Sequence, residues 1–184
     1  MMWPVSKLHP EQLVQIFALR RGFEPLRSDC TVSRTDGVDL HEVMQHEIRS
    51  LYAKALMELP LEQLPTENAT TQTSLIVLPD GSAVVDLPTG TVRTGEVKLS
   101  SWMRSTVPLP ADHPVAQIQS NRWSRGLCHE PVAVLRGNRV YLYSPDKQGD
   151  AIELLEVVRM PDAESFYAVT EPIMTFISSN LFAL

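Results

Sequence analysis

The chain has 184 residues, of which 43% are hydrophobic and 21% charged, and a formal net charge of −6. A chain of this length can bury roughly 70% of its unfolded surface, so folding requires neither disulfides nor a structural metal. The acidic excess is spread along the sequence and argues against holding nucleic acid by general electrostatics, which needs clustered Lys and Arg.

In chain order, His9-Pro10-Glu11 predicts a helix that ends near Arg21, with Pro in the first turn and Gly22 just past the end. Leu13, Ile16 and Phe17 share one side of it, with Arg20 as a polar border. Residues Glu24 to Asp36 read as irregular, since Pro25, Ser28, Asp29 and Ser33 favour loops. Asp39-Leu40-His41-Glu42 has the form of an N-cap with an acidic residue three positions on. Behind it, Leu40, Val43, Ile48, Leu51, Tyr52, Ala55, Leu56 and Leu59 recur near helical spacing. This predicts an amphipathic helix laid on a core or on a neighbouring subunit, stopped by Pro60 and Pro65.

From Thr73 the period changes. Ser74 to Leu78 and Ser82 to Leu87 flank Pro79-Asp80-Gly81 and read as a hairpin. Val92 to Ser101 alternates as a strand, and Pro108, Pro110 and Pro114 suggest a stiff, irregular excursion. Val132 to Leu135 and Val140 to Tyr143 form a second hairpin around Arg136-Gly137-Asn138-Arg139, and Ile152 to Arg159 is expected to complete a three-stranded meander. Thr170-Glu171-Pro172 starts a last helix whose apolar stripe is Ile173, Met174, Phe176, Ile177, Leu181 and Phe182. The expected fold is α+β in a single domain over residues 1–184: a helical region at 1–60, an antiparallel β-unit at 73–160 and a C-terminal helix at 168–183. The β-unit would be a sandwich or a partly open barrel flanked by N-terminal, middle and C-terminal helices.

Targeting signals are absent from this reading. The N-terminus lacks the cationic and apolar regions of a signal peptide. No run reaches the roughly 20 apolar residues of a membrane span; the closest, Pro172 to Leu184, is interrupted by Ser178, Ser179 and Asn180. Two isolated thiols, Cys30 and Cys128, suggest a reducing compartment, so cytosolic assembly without membrane contact is expected.

Reactive constellations are near misses. His41 and His46 are five apart and diverge by about 140° around a helix, whereas a zinc helix needs a spacing of four. Cys128-His129 lacks a second ligand pair at zinc spacing and reads as a buried thiol beside a loop histidine. Ser144-Pro145-Asp146-Lys147 matches Ser-x-x-Lys but follows a strand and enters a turn, where the chemistry needs the start of a helix. No catalytic residue, cofactor or metal is therefore expected; an unmarked acid–base site would have to draw on His129, Glu130 or Asp86. The basic cluster Arg122, Arg125, Arg136 and Arg139 reads as a solvated loop. Aromatic and Arg residues together are typical of protein interfaces, so Trp102, Arg104, Arg122, Trp123 and Arg125 are the interface candidates. The competing reading places both tryptophans as plugs at the ends of the β-core.

Several short motifs carry a resemblance. They are Tyr52-Ala53-Lys54-Ala55-Leu56, Leu78-Pro79-Asp80-Gly81-Ser82-Ala83 and Asp86-Leu87-Pro88 leading into Val92-Arg93. Val97-Lys98-Leu99-Ser100-Ser101-Trp102, Gln119-Ser120-Asn121 with Arg125-Gly126, and Pro131-Val132-Ala133-Val134 continue the series, which covers residues 45–145. In this order they resemble the head-to-tail connector (adaptor or ring) virion proteins of tailed phages and prophages of gut Bacteroidetes. The resemblance implies a non-enzymatic virion subunit assembled in the bacterial host cytoplasm. Its partners would be copies of itself in a ring and other virion proteins such as portal or tail subunits, with no sequence-specific nucleic acid. That family has no catalytic residues to carry over. A module that binds a small ligand or peptide in a pocket between the β-unit and a helix, near Trp102 and Trp123, is the alternative.

Overall fold

The computed structural model describes residues 3–20, 40–145 and 149–181. Among them the chain runs β1 (Ser6–Leu8), α1 (Pro10–Arg20), α2 (Leu40–Glu58), β2 (Glu67–Asn68), β3 (Leu75–Val77), β4 (Ala83–Asp86) and β5 (Thr91–Leu99). It continues through β6 (Leu109–Pro110), α3 (Pro114–Ile118), β7 (Val132–Arg136), β8 (Arg139–Tyr143), β9 (Ile152–Arg159), β10 (Tyr167–Val169) and α4 (Glu171–Asn180). The fold is α+β, and the chain divides into two compact units: Met1–Pro65 with Met160–Leu184, and Thr66–Arg159.

In the first unit, α1 starts where the sequence places it. The Gln12 side chain accepts a hydrogen bond from the His9 backbone N–H at 2.9 Å, half of a capping box. The buried stripe is Leu13, Val14, Phe17 and Ala18, with Ile16 half-buried and Arg20 exposed. It is therefore rotated toward Val14 and Ala18 from the expected face. In α2 the buried positions are Met44, Ile48, Tyr52, Ala55 and Leu56, while Val43 is 42% exposed. Met44, Ile48 and Tyr52 follow a spacing of four, and that row excludes Val43, one residue off it. The helix packs on α1 and α4 of its own unit. Tyr52 is fully buried, meets Tyr167 edge-to-face at 4.9 Å and donates to the Ala168 carbonyl at 2.8 Å. Burial, and then the neighbouring Tyr167, push its phenol above the ordinary value. α4 buries Ile173 and Ile177, and Leu181 is buried just after it; Met174 and Phe176 are half-buried. β1 pairs antiparallel with β10, a small sheet the sequence reading did not anticipate. Asp39, Gly22, Glu24 to Asp36, Cys30 and Phe182 lie outside the described residues.

The second unit holds two sheets, β2-β9-β5 and β3-β4-β8-β7-β6, neither closed into a barrel. Both predicted hairpins form. In the first, Leu78 and Ser82 bracket a three-residue loop, with the Gly81 N–H bonded to the Leu78 carbonyl at 2.9 Å. Gly81 has φ 81°, the left-handed residue that closes such a loop. The second reverses through Gly137-Asn138, with φ 59° at Gly137 alone, as a type II′ turn requires.

Two expectations are corrected. β9 does not extend the β7–β8 hairpin into a meander; it pairs with β5 and β2 in the other sheet. Its β-branched and leucine residues, Ile152, Leu154, Leu155, Val157 and Val158, specify a strand but not its neighbour. The proline-rich stretch is also built into the fold: β6 pairs with β7, the one parallel pairing among the described strands, and Pro114 opens α3. A two-residue edge strand and the first helical turn are both places that tolerate proline.

The strand period of two sorts side chains between two cores. Ala83, Val85, Val97, Leu99, Ala133, Val140, Leu142, Leu155 and Val157 fill the space shared by the two sheets, with Trp102 among them. Val134 and Tyr143 point the other way and pack with Ala116 of α3. The five-stranded sheet is thus covered on one face by the other sheet and, over β7 and β8, on the other face by α3.

Candidate functional site

At that end the Pro79-Asp80-Gly81 loop, the 119–127 segment and Ser144 surround an open cleft of about 380 Å³. Its floor is an interlocked polar network. Arg125, whose side chain is only 10% exposed, forms a 2.7 Å ion pair with the Asp80 carboxylate. The same guanidinium donates to the Asp80 carbonyl at 2.7 Å and to the Gln119 carbonyl at 2.9 Å, and lies 5.5 Å from the centre of the Tyr143 ring. One planar fork thereby ties a hairpin loop, a helix end and a strand end together.

Asp80 is equally committed. Its other oxygen accepts from the Ser82 hydroxyl at 2.6 Å and the Ser82 N–H at 3.0 Å. The Ser82 hydroxyl first, its N–H next, and Arg125 beyond them hold this carboxyl below the usual carboxylate range. Gln119 is buried; its amide donates to the Val115 carbonyl at 3.0 Å and accepts from the Gly126 N–H at 2.9 Å. Gly126 has no room for a side chain: a Cβ would stand 2.7 Å from the Glu130 carbonyl oxygen and 2.8 Å from a Val132 methyl. Ser144 adopts φ 68° and donates its hydroxyl to the Gly126 carbonyl.

The rim has the opposite character. The Asn121 side chain caps the short turn Arg122–Ser124 by accepting from the Trp123 N–H at 3.0 Å. That turn turns Arg122 and Trp123 outward, and Trp123 is 94% exposed. Leu127 is exposed on the same cleft. Chemically, the floor is a saturated structural ion pair, and the rim offers a cation beside two apolar surfaces.

The five interface candidates are divided by this geometry. Arg122, Trp123 and Arg125 line the cleft together. Trp102 does not: it is 2% exposed in the β-core, with its indole N–H directed to the Ser144 carbonyl at 3.3 Å, so its ring offers no surface to a partner. Arg104 is exposed but does not line the cleft. The alternative pocket near both tryptophans therefore reduces to a cleft that holds Trp123 alone. Arg125 is not a solvated loop residue, because Asp80, Gln119 and Tyr143 enclose it. Arg139 pairs with Asp86 at 2.7 Å, and Arg136 lies 5.1 Å from the Tyr141 ring centre.

Cys128 is exposed rather than buried, since it sits in the outward turn closed by the Leu127 and Glu130 backbones. His129 and Glu130 are exposed in the same turn, while Asp86 is held by Arg139 on the β4–β8 ladder. His46 is exposed and His41 half-buried on α2, and Asp146 and Lys147 lie outside the described residues. Sequence reading missed Asp80 as the partner of Arg125, because turn chemistry already accounts for an Asp in Pro-Asp-Gly. It met Ser144 only as a Ser-x-x-Lys match that fails on context and Gln119 only within a resemblance motif, with no signal for the bonds either makes to Gly126. Compared with known proteins, the chain matches no family model and no curated protein.

Proposed function

We propose that this chain is a structural subunit of a phage neck, a head-to-tail connector ring that acts through protein–protein contacts in the virion. The phage assignment rests on the resemblance across residues 45–145. The observation that supports a contact-making role is Trp123, held out from a rigid β-scaffold beside Arg122. Aromatic and Arg side chains are enriched among the few residues that carry most of an interface's binding energy, and an already ordered backbone lowers the cost of covering them.

In this reading the floor of the cleft is scaffold and the rim is the working surface. Subunits assemble in the bacterial host cytoplasm, without cofactor or membrane, onto portal or tail proteins. Mixing the purified chain with the portal protein of the same phage, followed by sedimentation and negative-stain microscopy, tests it. The expected result is co-sedimenting rings; a strictly monomeric chain with no affinity for portal or tail proteins would rule the reading out. The cleft itself favours one other reading, a site for an acidic peptide that meets Arg122 while its apolar residue covers Trp123. Thermal stabilisation by such a peptide in the absence of any self-association would select that reading.

A further inference from the structure

This inference rests on the self-assembling reading and names the partner of its surface. Trp123 is the most exposed large hydrophobic residue among those described, at 94%, and Arg122 beside it is also exposed. No acidic residue occurs between Ile118 and His129, so Arg122 and Arg125 make this a locally basic stretch. With Asp80 already committed to Arg125, Arg122 is the cation this stretch presents outward.

The other compact unit offers the complement. Trp3, Leu59, Pro172 and Phe176 line an open, mainly apolar groove of about 490 Å³, with Gln63, Glu171 and Thr175 as its polar members. The groove is pre-formed: the Thr170 hydroxyl donates to the Gln63 carbonyl at 2.7 Å, fixing the start of α4 against the turn that follows α2. Its volume falls within the range of about 300–1,000 Å³ typical of ligand pockets, ample for an indole. Charge complements it as well. Met1–Pro65 with Met160–Leu184 carries twelve acidic against seven basic residues, a net −5 of the chain's −6. Glu171 is exposed at the groove.

We propose that Trp123 of one copy seats in the Trp3–Leu59–Pro172–Phe176 groove of a second copy, with Arg122 meeting Glu171. Knob and groove are different surfaces of the same chain, so the contact is heterologous and propagates: it closes into a ring if the rotation permits and otherwise extends as a filament. The exposed indole gains an apolar enclosure, and the ion pair sets which face of the groove it enters.

Sedimentation velocity over a concentration series tests this on the full chain, with thermal unfolding to confirm that each variant folds. Wild type is expected to assemble as concentration rises. Trp123→Ala should raise the concentration for half-assembly by about tenfold or more. Arg122→Glu and Glu171→Arg should each impair assembly alone. An equimolar mixture of the two should restore it, because each reversed knob then faces a reversed groove.

If wild type assembles and these variants assemble equally well, the contact is wrong while the ring reading stands. If the swaps each impair assembly but the mixture does not rescue it, the pairing of Arg122 with Glu171 is overturned. If wild type stays monomeric yet binds portal protein through Trp123, the knob serves a different partner and the self-contact is overturned. Monomers with no affinity for portal or tail protein overturn both the contact and the reading it rests on.

Discussion

Two arginine–tryptophan pairs, one enclosed and one on the rim of the cleft, meet opposite fates. Arg125 is enclosed by Asp80, Gln119 and Tyr143, and Trp102 is packed into the β-core. Arg122 and Trp123, only two or three residues from Arg125, face water. Composition alone assigns both pairs to an interface. What separates them is whether the fold brings partners from distant parts of the chain. The floor should therefore be read out in stability and the rim in association, and each substitution below tests that division.

The largest effect is expected at Trp102. Removing a side chain this buried leaves a cavity between the two sheets and frees the Ser144 carbonyl, so Trp102→Ala should lower unfolding free energy by about 3–5 kcal/mol in urea titration. A loss below about 1 kcal/mol would mean that the ring is not a core element. Arg125→Ala comes next. It removes an ion pair to Asp80 and bonds to two backbone carbonyls in a nearly closed site, an expected loss of about 2 kcal/mol. Arg125→Lys should recover little of it, since an ammonium cannot span the Asp80 carboxylate and both carbonyls in the plane of a fork. Gly126→Ala should destabilise by about 1–3 kcal/mol, because the added carbon meets the Glu130 backbone and a Val132 methyl.

The acid limb of stability tests the role of Asp80. Its carboxyl is held below the ordinary range in the folded state by Ser82 and then Arg125. The unfolded chain therefore binds this proton more readily. The resulting stabilisation is fully present above the unfolded value and is lost as pH falls through the lower, folded one. Asp80→Asn should be less stable near neutral pH and should show a flatter decline from there into acid, measured as urea midpoints along a pH series. Because the carboxylate is 54% exposed, solvent screening keeps this contribution modest. Curves of the two proteins that run parallel would detach Asp80 from the acid response.

The sequence carried the elements better than their partners. Pro79-Asp80-Gly81 and Arg136-Gly137-Asn138-Arg139 specify their hairpins because turn geometry is local and glycine is needed at one position of each. The helices at Pro10, Leu40 and Glu171 follow from proline placement and periodicity in the same way, although Thr170 makes no side-chain cap. Adjacent apolar residues were harder to assign: Val43 and Met44 both suit a helix face, and only packing against the rest of the first unit selects Met44. Long-range pairing left no local trace. β9 and β5 meet across more than 50 residues, and Arg125 finds Asp80 across 45. Thus Trp102 and Trp123 looked alike in sequence, and only the tertiary fold makes one a core residue and the other a surface one.

The smallest expected stability effect belongs to Trp123, and it is the sharpest test of the division. Trp123→Ala removes the bulkiest side chain of the 119–127 segment, yet it should shift unfolding free energy by no more than about 0.5 kcal/mol, as surface substitutions usually do. Its backbone N–H remains available to the Asn121 cap, so the turn itself should persist. A large loss would show that the indole braces the cleft, which would join rim to floor and remove the basis for reading Trp123 as a contact residue. Unchanged stability with lost association would mean that its ring is kept for a partner, because no packing within the chain would then account for it.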